Sequence, residues 1–99
     1  MKAISPEELQ AWIQSDKDMQ IVDIREAYEY EDGHLDALHL PMDTVVDQLE
    51  QLAKDKPVVM YCKSGKRASA MVYMLEKMYG FENLLVLEGG YDAFVSEPA

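Results

Sequence analysis

The chain has 99 residues, of which 48% are hydrophobic and 28% charged, and its formal net charge at pH 7 is −10. This composition is typical of a small globular protein, and we predict a single domain spanning residues 1–99. The excess of 19 acidic over 9 basic residues argues against nucleic acid and anionic membranes as partners. The N-terminus lacks a signal-peptide pattern, no apolar run could span a bilayer, and the one cysteine cannot form an intramolecular disulfide. We therefore expect a cytoplasmic protein.

The predicted elements alternate between helices and short apolar strands. Ser5, Pro6 and Glu8 form a capping-box start for the first helix. The elements that follow are, in chain order, a strand at 20–24, a short helix at 25–31, an edge strand at 38–40, a helix at 45–53, a strand at 58–61, a long helix at 67–79, a strand at 84–87 and a short helix at 91–95. This alternation predicts an α/β fold with a small central parallel β-sheet and helices on both faces.

The helix at residues 67–79 has the clearest apolar periodicity in the sequence. Gly80 follows it as a predicted C-terminal cap. The apolar residues at helical spacing are expected to face the core, and they are Ala68, Met71, Val72, Leu75 and Met78.

The cysteine directly follows the apolar strand at residues 58–61. Ligands of open α/β sheets bind at the carboxyl ends of the strands, so Cys62 is predicted to lie at that edge. Lys63, Lys66 and Arg67 place positive charge beside it, and the N–H groups of the turn and of the next helix can add hydrogen bonds. Such surroundings favour the thiolate, which is the nucleophilic form of cysteine, and would attract an anionic substrate.

Four short segments match, in order, the motifs of one known family. They are DIRE at 23–26, GHLDALHLP at 33–41, CKSGKR at 62–67 and LEGGYDAF at 87–94. CKSGKR is similar to the C-x-x-G-x-R active loop of the rhodanese-like (thiosulfate sulfurtransferase) domain family. The other three resemble its D-V-R-E, G-H-I-x-G-A-x-x-I-P and L-x-G-G-x-x-A-W segments. The resemblance covers most of the chain and implies a single-domain rhodanese-like fold.

Two positions depart from the family pattern. The segment at 33–41 is about one residue short and lacks the second glycine of the motif, so its loop is expected to follow a different path. Phe94 stands where the family usually has tryptophan, which keeps an aromatic anchor. The active loop itself shows no departure.

The resemblance implies sulfur transfer through a persulfide on Cys62. A small anionic donor such as thiosulfate would give its sulfane sulfur to the thiolate, and a thiol or a sulfur-acceptor protein would remove it. The implied substrate-binding loop comprises Lys63, Ser64, Gly65, Lys66 and Arg67, and the implied supporting residues are Asp23, Arg25 and Glu26. The sequence predicts no cofactor, and its two histidines and one cysteine lie at spacings that predict no metal site.

Two other functions remain open at this point. Cysteine phosphatases and arsenate reductases of the related type use a longer C-x5-R loop that fits a tetrahedral oxyanion, whereas four residues separate Cys62 from Arg67 here. Members of the family also serve as non-catalytic binding or regulatory modules, and these usually lack the cysteine. Both features favour the sulfurtransferase.

Overall fold

A computed structural model of the chain describes residues 1–97; the predicted domain's last two residues, 98 and 99, lie outside the described part. The strands are β1 (Lys2–Ile4), β2 (Gln20–Asp23), β3 (Leu38–His39), β4 (Val58–Tyr61) and β5 (Leu84–Leu87). The α-helices are α1 (Pro6–Gln14), α2 (Ala27–Glu31), α3 (Lys66–Tyr79) and α4 (Gly90–Ser96). Two 3₁₀ helices, Met42–Thr44 and Val46–Gln51, lie between β3 and β4.

The five strands form one parallel sheet in the order β1-β5-β4-β2-β3. The central strand is β4, which aligns Tyr61 with Asp23 of β2. The chain segments that follow β2 and β4 therefore emerge side by side at one sheet edge. This confirms the predicted α/β fold with a parallel sheet.

Helices cover both faces of the sheet. On one face, Val58 and Met60 of β4 pack with Val72 and Leu75 of α3 and with the 3₁₀ segment. On the other face, Val59 and Tyr61 pack with the residues of α1 and α4 that face the sheet. The strand β4 is buried on both faces, which explains its continuous apolar sequence.

The predicted helix ends are present. Ser5 and Glu8 form the reciprocal capping box, and Gly80 caps α3 in the left-handed conformation with φ of 71°. The prediction for Met78 was wrong, because its side chain is 70% exposed. The buried stripe of α3 ends at Leu75.

The helix predicted at residues 45–53 was wrong in type. The segment contains the 3₁₀ helix Val46–Gln51, whose backbone is non-helical at Gln48. Val45 and Leu52 are nevertheless buried, so the apolar spacing reflected burial and not α-helical hydrogen bonding. The side chain of Gln20 fixes the end of this segment, donating to the carbonyl of Gln51 and accepting from the N–H of Ala53.

The strand β1 was not predicted from the sequence. Its three residues are too few to show alternation, and its partner is β5, more than 80 positions away, where Lys2 aligns with Leu85. Within residues 1–97, no helix combines the length and the apolar character that crossing a membrane requires.

Candidate active site

The loop between β4 and α3 folds around the sulfur of Cys62. The residue is fully buried at the end of the central strand. Its Sγ accepts hydrogen bonds from the backbone N–H of Gly65 at 3.1 Å and from that of Ala68 at 3.4 Å. Backbone donors that converge on a sulfur stabilise negative charge there. The groups that contact the sulfur directly are therefore backbone N–H donors.

The start of α4 holds the carbonyl groups of the same loop. The N–H of Tyr91 donates to the carbonyl of Cys62 at 2.8 Å, and the N–H of Asp92 donates to that of Lys63 at 3.1 Å. Gly90 makes this approach possible, because a Cβ there would lie 2.5 to 2.6 Å from those two carbonyl oxygens. With the carbonyls bonded to α4, the loop presents N–H groups to the sulfur.

The first turn of α3 adds further donors. Among residues 1–97, the N–H groups of Lys66 and Arg67 have no hydrogen-bond acceptor, as is usual at a helix N-terminus. They belong to the same turn as Ala68, whose N–H reaches Sγ. The helix dipole adds positive potential at this end.

Carboxylates pair with two of the three cations of the loop. Arg67 donates to both carboxylate oxygens of Glu29, at 2.9 and 3.0 Å. These bonds lower the pKa of Glu29 to about 2. They also raise the pKa of Arg67.

The other pair lies at the surface. The ammonium of Lys63 lies 2.9 Å from the carboxylate of Asp92, and this hydrogen bond raises the pKa of Lys63. Lys66 is exposed and makes no ion pair with the described residues. The positive patch predicted from sequence is thus neutralised at two of its three positions.

The predicted supporting residues Asp23 and Arg25 form a buried ion pair beside the loop. Asp23 is fully buried and Arg25 is 4% exposed. Burial disfavours the charge of Arg25, but the hydrogen bonds and charge of Asp23 outweigh it and raise the pKa of Arg25. The Arg25 guanidinium also lies 4.3 Å from the ring centre of Tyr91, so the pair supports the start of α4.

The same network anchors the shortened loop at residues 33–37. Arg25 donates to the carbonyl of Gly33 at 2.7 Å. The hydroxyl of Tyr61 donates to Asp23 at 2.8 Å and accepts from the N–H of Leu35 at 3.1 Å. Burial raises the pKa of Tyr61, which keeps its hydroxyl protonated as a donor.

Glu26, the third predicted supporting residue, is exposed and starts α2. Its N–H donates to the side chain of Glu29 at 2.9 Å. Its role in the structure is to position the helix that carries Glu29. His39 is half-buried, and its Nε2 lies 2.8 Å from the carbonyl oxygen of Arg25.

A cavity of about 620 Å³ adjoins the loop. The loop contributes Lys63 to its wall, and Glu29 in the wall binds Arg67. The complete lining consists of Arg25, Tyr28, Glu29, Glu31, Asp32, Gly33, Lys63, Tyr91 and Asp92. Because Lys63 of the loop lines it, this cavity is a candidate binding site for a substrate.

Glu29 was not predicted from the sequence as a site residue. Glu26 and Glu29 have the spacing of a capping box, which marks only a helix start. The distance of 38 positions between Glu29 and Arg67 leaves no local signal for the ion pair. Tyr61 was predicted as part of the strand, and its hydroxyl contacts were likewise not visible from spacing.

Comparisons with known proteins identify the family. The family model for the rhodanese-like domain matches residues 5–97. Among solved structures, a rhodanese-like domain protein from Staphylococcus aureus is 33% identical, with a TM-score of 0.86 over 95% of this chain and 91% of that one. A protein from Staphylococcus saprophyticus is 30% identical, with a TM-score of 0.85 over 95% of this chain and 93% of that one.

The curated relatives are longer proteins. A tRNA uridine(34) hydroxylase of Pectobacterium carotovorum is 47% identical in an alignment of 83 residues that covers 76% of this chain and 23% of that protein. A probable adenylyltransferase/sulfurtransferase MoeZ of Mycobacterium tuberculosis is 31% identical over 97 residues, covering 95% of this chain and 24% of that protein. The chain thus spans about a quarter of the length of these relatives. With the family model matching nearly the whole chain and the fold agreeing, the chain belongs to the rhodanese-like domain family.

Proposed function

We propose that the protein is a sulfurtransferase that moves a sulfane sulfur from thiosulfate or a related donor to a thiophilic acceptor. Cys62 is the nucleophile and carries the sulfur as a persulfide. The observation that supports this most directly is the pair of N–H groups, from Gly65 and Ala68, aimed at Sγ. Membership of the rhodanese-like family and the name of the MoeZ relative, which includes sulfurtransferase, agree with it.

The first step is a displacement at sulfur. The thiolate of Cys62 attacks the sulfane sulfur of thiosulfate and forms a new S–S bond. The S–S bond of the donor breaks, its electron pair leaves with sulfite, and the persulfide keeps one negative charge. An acceptor thiolate or cyanide then takes the terminal sulfur, and the Cys62 thiolate is regenerated. This is covalent catalysis with two substrates that react in turn.

The loop can stabilise both anionic forms of the cysteine. Gly65 and Ala68 donate to the sulfur in the resting protein, and the N–H groups of Lys66 and Arg67 are donors within the same turn. Donors fixed before the reaction need little reorganisation as the charge moves from Sγ to the terminal sulfur. The bonds from α4 to the loop carbonyls hold the donors in that orientation.

The acceptor must come from outside the chain. Cys62 is the only cysteine, so no second thiol can resolve the persulfide to an internal disulfide. A thiol or a sulfur-acceptor protein is the proposed partner.

The two rival functions are less well supported. A loop with four residues between Cys62 and Arg67 gives a smaller ring than the C-x5-R loop of cysteine phosphatases. A non-catalytic binding module would have no need of the hydrogen-bonded cysteine that the loop surrounds.

Intact-protein mass spectrometry tests the proposal. Thiosulfate should add the mass of one sulfur atom to the reduced protein, and cyanide should remove it with release of thiocyanate. The variant Cys62→Ser should show neither change, because it lacks the nucleophile. Thiol titration of the wild-type protein before the reaction serves as the control for a reduced cysteine. No sulfur adduct from a titrated free thiol would contradict the proposed function.

A further inference from the structure

The cavity beside the active loop carries more negative than positive charge. Its charged wall residues are the carboxylates Glu29, Glu31, Asp32 and Asp92 and the cations Arg25 and Lys63. Four carboxylates against two cations give the wall a formal charge of −2. Lys66, the loop cation without an ion-pair partner among residues 1–97, does not offset this charge in the wall, since it lines a different cavity with Ser64 and Ser69.

The excess charge belongs to two residues at the end of α2. The remaining charges of the wall are balanced by ion pairs, namely Lys63–Asp92, Arg67–Glu29 and Arg25–Asp23. Glu31 and Asp32 are exposed, and within the described part of the chain their carboxylates take part in no ion pair or side-chain hydrogen bond. Their charge is therefore available to a bound molecule.

An aromatic side chain lies in the same wall. Tyr28, one turn before Glu31 and Asp32, is 72% exposed. An exposed aromatic face near carboxylates is an environment that binds ammonium and guanidinium groups. The same carboxylates would repel thiosulfate, which carries two negative charges.

We propose that this cavity selects sulfur donors that carry a positively charged group close to the reacting sulfur, in preference to thiosulfate. The inference rests on the proposed function, since it concerns the substrate of the same cysteine. The reaction is unchanged: the Cys62 thiolate takes the sulfane sulfur, and the electron pair of the broken S–S bond leaves with the sulfinate or sulfite.

Two matched donors isolate the effect of charge. Propane-1-thiosulfonate and 2-aminoethanethiosulfonate share the reacting group and the chain length, and differ in a terminal methyl against an ammonium. The rate of persulfide formation on Cys62 is measured with each of these two donors and with thiosulfate. Each rate is then divided by the rate at which the same donor reacts with a small free thiol, which corrects for differences in intrinsic reactivity. At low salt we expect the ammonium donor to exceed the propyl donor by roughly threefold or more. About 0.5 M salt should reduce this preference, because it screens exposed charges.

Variants assign the preference to the two carboxylates. The double variant Glu31→Gln/Asp32→Asn should bring the ratio of the two thiosulfonates close to one and raise the rate with thiosulfate. The control Asp47→Asn/Glu50→Gln makes the same change of charge at exposed residues outside the cavity wall, and it should keep the wild-type ratio.

The outcomes separate the two proposals. Equal normalised rates for the two thiosulfonates in the wild-type protein, or an equal change of ratio in both double variants, would overturn the charge selection and leave the sulfurtransferase intact. Failure of all three donors to form a persulfide would overturn the proposed function itself.

Discussion

Individual carboxylates set the charge around Cys62. Arg67 is held by Glu29 through two hydrogen bonds, and Lys63 is held by Asp92. A paired cation attracts an incoming anion less than a free one does, because its partner cancels much of its field. The backbone N–H groups of Gly65 and Ala68 are therefore the donors that contact the sulfur directly.

The ion pair of Glu29 should make stability depend on pH. Its pKa falls from an ordinary 4.5 to about 2 in the folded protein, so the folded state favours the carboxylate. The stabilisation is complete above about pH 4.5 and is lost as the pH falls towards 2. We expect Glu29→Gln to lower the free energy of unfolding by about 1–2 kcal/mol at pH 7.

Urea denaturation of wild type and variant between pH 2 and pH 7 provides the measurement. The two free energies should converge near pH 2. Glu50→Gln, at an exposed residue, is the matched control and should have little effect. If the difference in the free energy of unfolding between wild type and Glu29→Gln stays constant down to pH 2, the ion pair is not the source of that difference.

Lys66 should contribute to the reactivity of the thiol. Lys66 forms no ion pair with the described residues. Replacing it by alanine removes its positive charge from the loop, so the pH profile of Cys62 alkylation should move to higher pH. We expect a two- to threefold slower rate near neutral pH, roughly the effect of one exposed charge. Lys77→Ala, in the last turn of the same helix, is the control. Identical profiles for Lys66→Ala and the wild type would show that Lys66 does not affect the thiol.

Three parts of the fold jointly shape the active loop. The strand β4 delivers Cys62 to the sheet edge, and α3 supplies N–H groups to its sulfur. The turn from β5 into α4 then bonds the carbonyls of Cys62 and Lys63. Gly90, the second glycine of LEGG, thus contacts the loop, and its small size is required there.

A pair of glycine variants can separate steric contact from backbone strain. Gly90 and Gly80 have φ of 65° and 71°, so alanine is strained at both and should cost about 1 kcal/mol. Only at Gly90 would the new Cβ collide with the loop, since nothing lies within 4 Å of a Cβ at Gly80. We expect Gly90→Ala to lose more stability and most persulfide formation, whereas Gly80→Ala keeps that activity.

Thermal unfolding and persulfide formation from thiosulfate measure the two effects. Equal activity in both variants would show that contact with α4 does not orient the loop donors.

At the scale of the whole molecule, parallel strand order brings the functional segments together. The strands β2 and β4 are neighbours, so the chain after Asp23 meets the chain after Tyr61. The buried pair of Asp23 and Arg25 lies at this junction, and its hydrogen bonds reach Gly33 and Tyr61. One buried network therefore joins segments that are distant in sequence.

The variant Asp23→Asn should destabilise the fold strongly. It leaves the Arg25 guanidinium buried without its counter-charge, which costs about 3 kcal/mol. The matched control is Asp18→Asn, which removes the carboxylate that pairs with Lys56 at the surface. Asp18 is 87% exposed, so this change should cost less than about 1 kcal/mol. Similar midpoints of urea denaturation for the two variants would contradict the importance of the buried pair.

Much of the fold could be predicted from local pattern. Three of the five strands were clear because their apolar runs are bounded by turn residues, and α3 was clear because its apolar spacing extends over several turns. The position of Cys62 at the sheet edge followed from the same pattern. β1 was missed because three residues carry no periodicity, and the 3₁₀ segment was misassigned because burial gives similar spacing in both kinds of helix.

The available chemistry follows from local sequence: one thiol, placed after a strand, in a C-x-x-G-x-R loop at the start of a helix. These are local features, since neighbouring residues fix the turn and the direction of its N–H groups. The charges that surround this thiol are set by contacts between distant parts of the chain. The partners of Arg67 and Lys63 lie 38 and 29 positions away, and charge pairing depends on distance in space. The same reason explains why the acidic cavity, formed by segments from three parts of the chain, could not be predicted from the sequence alone.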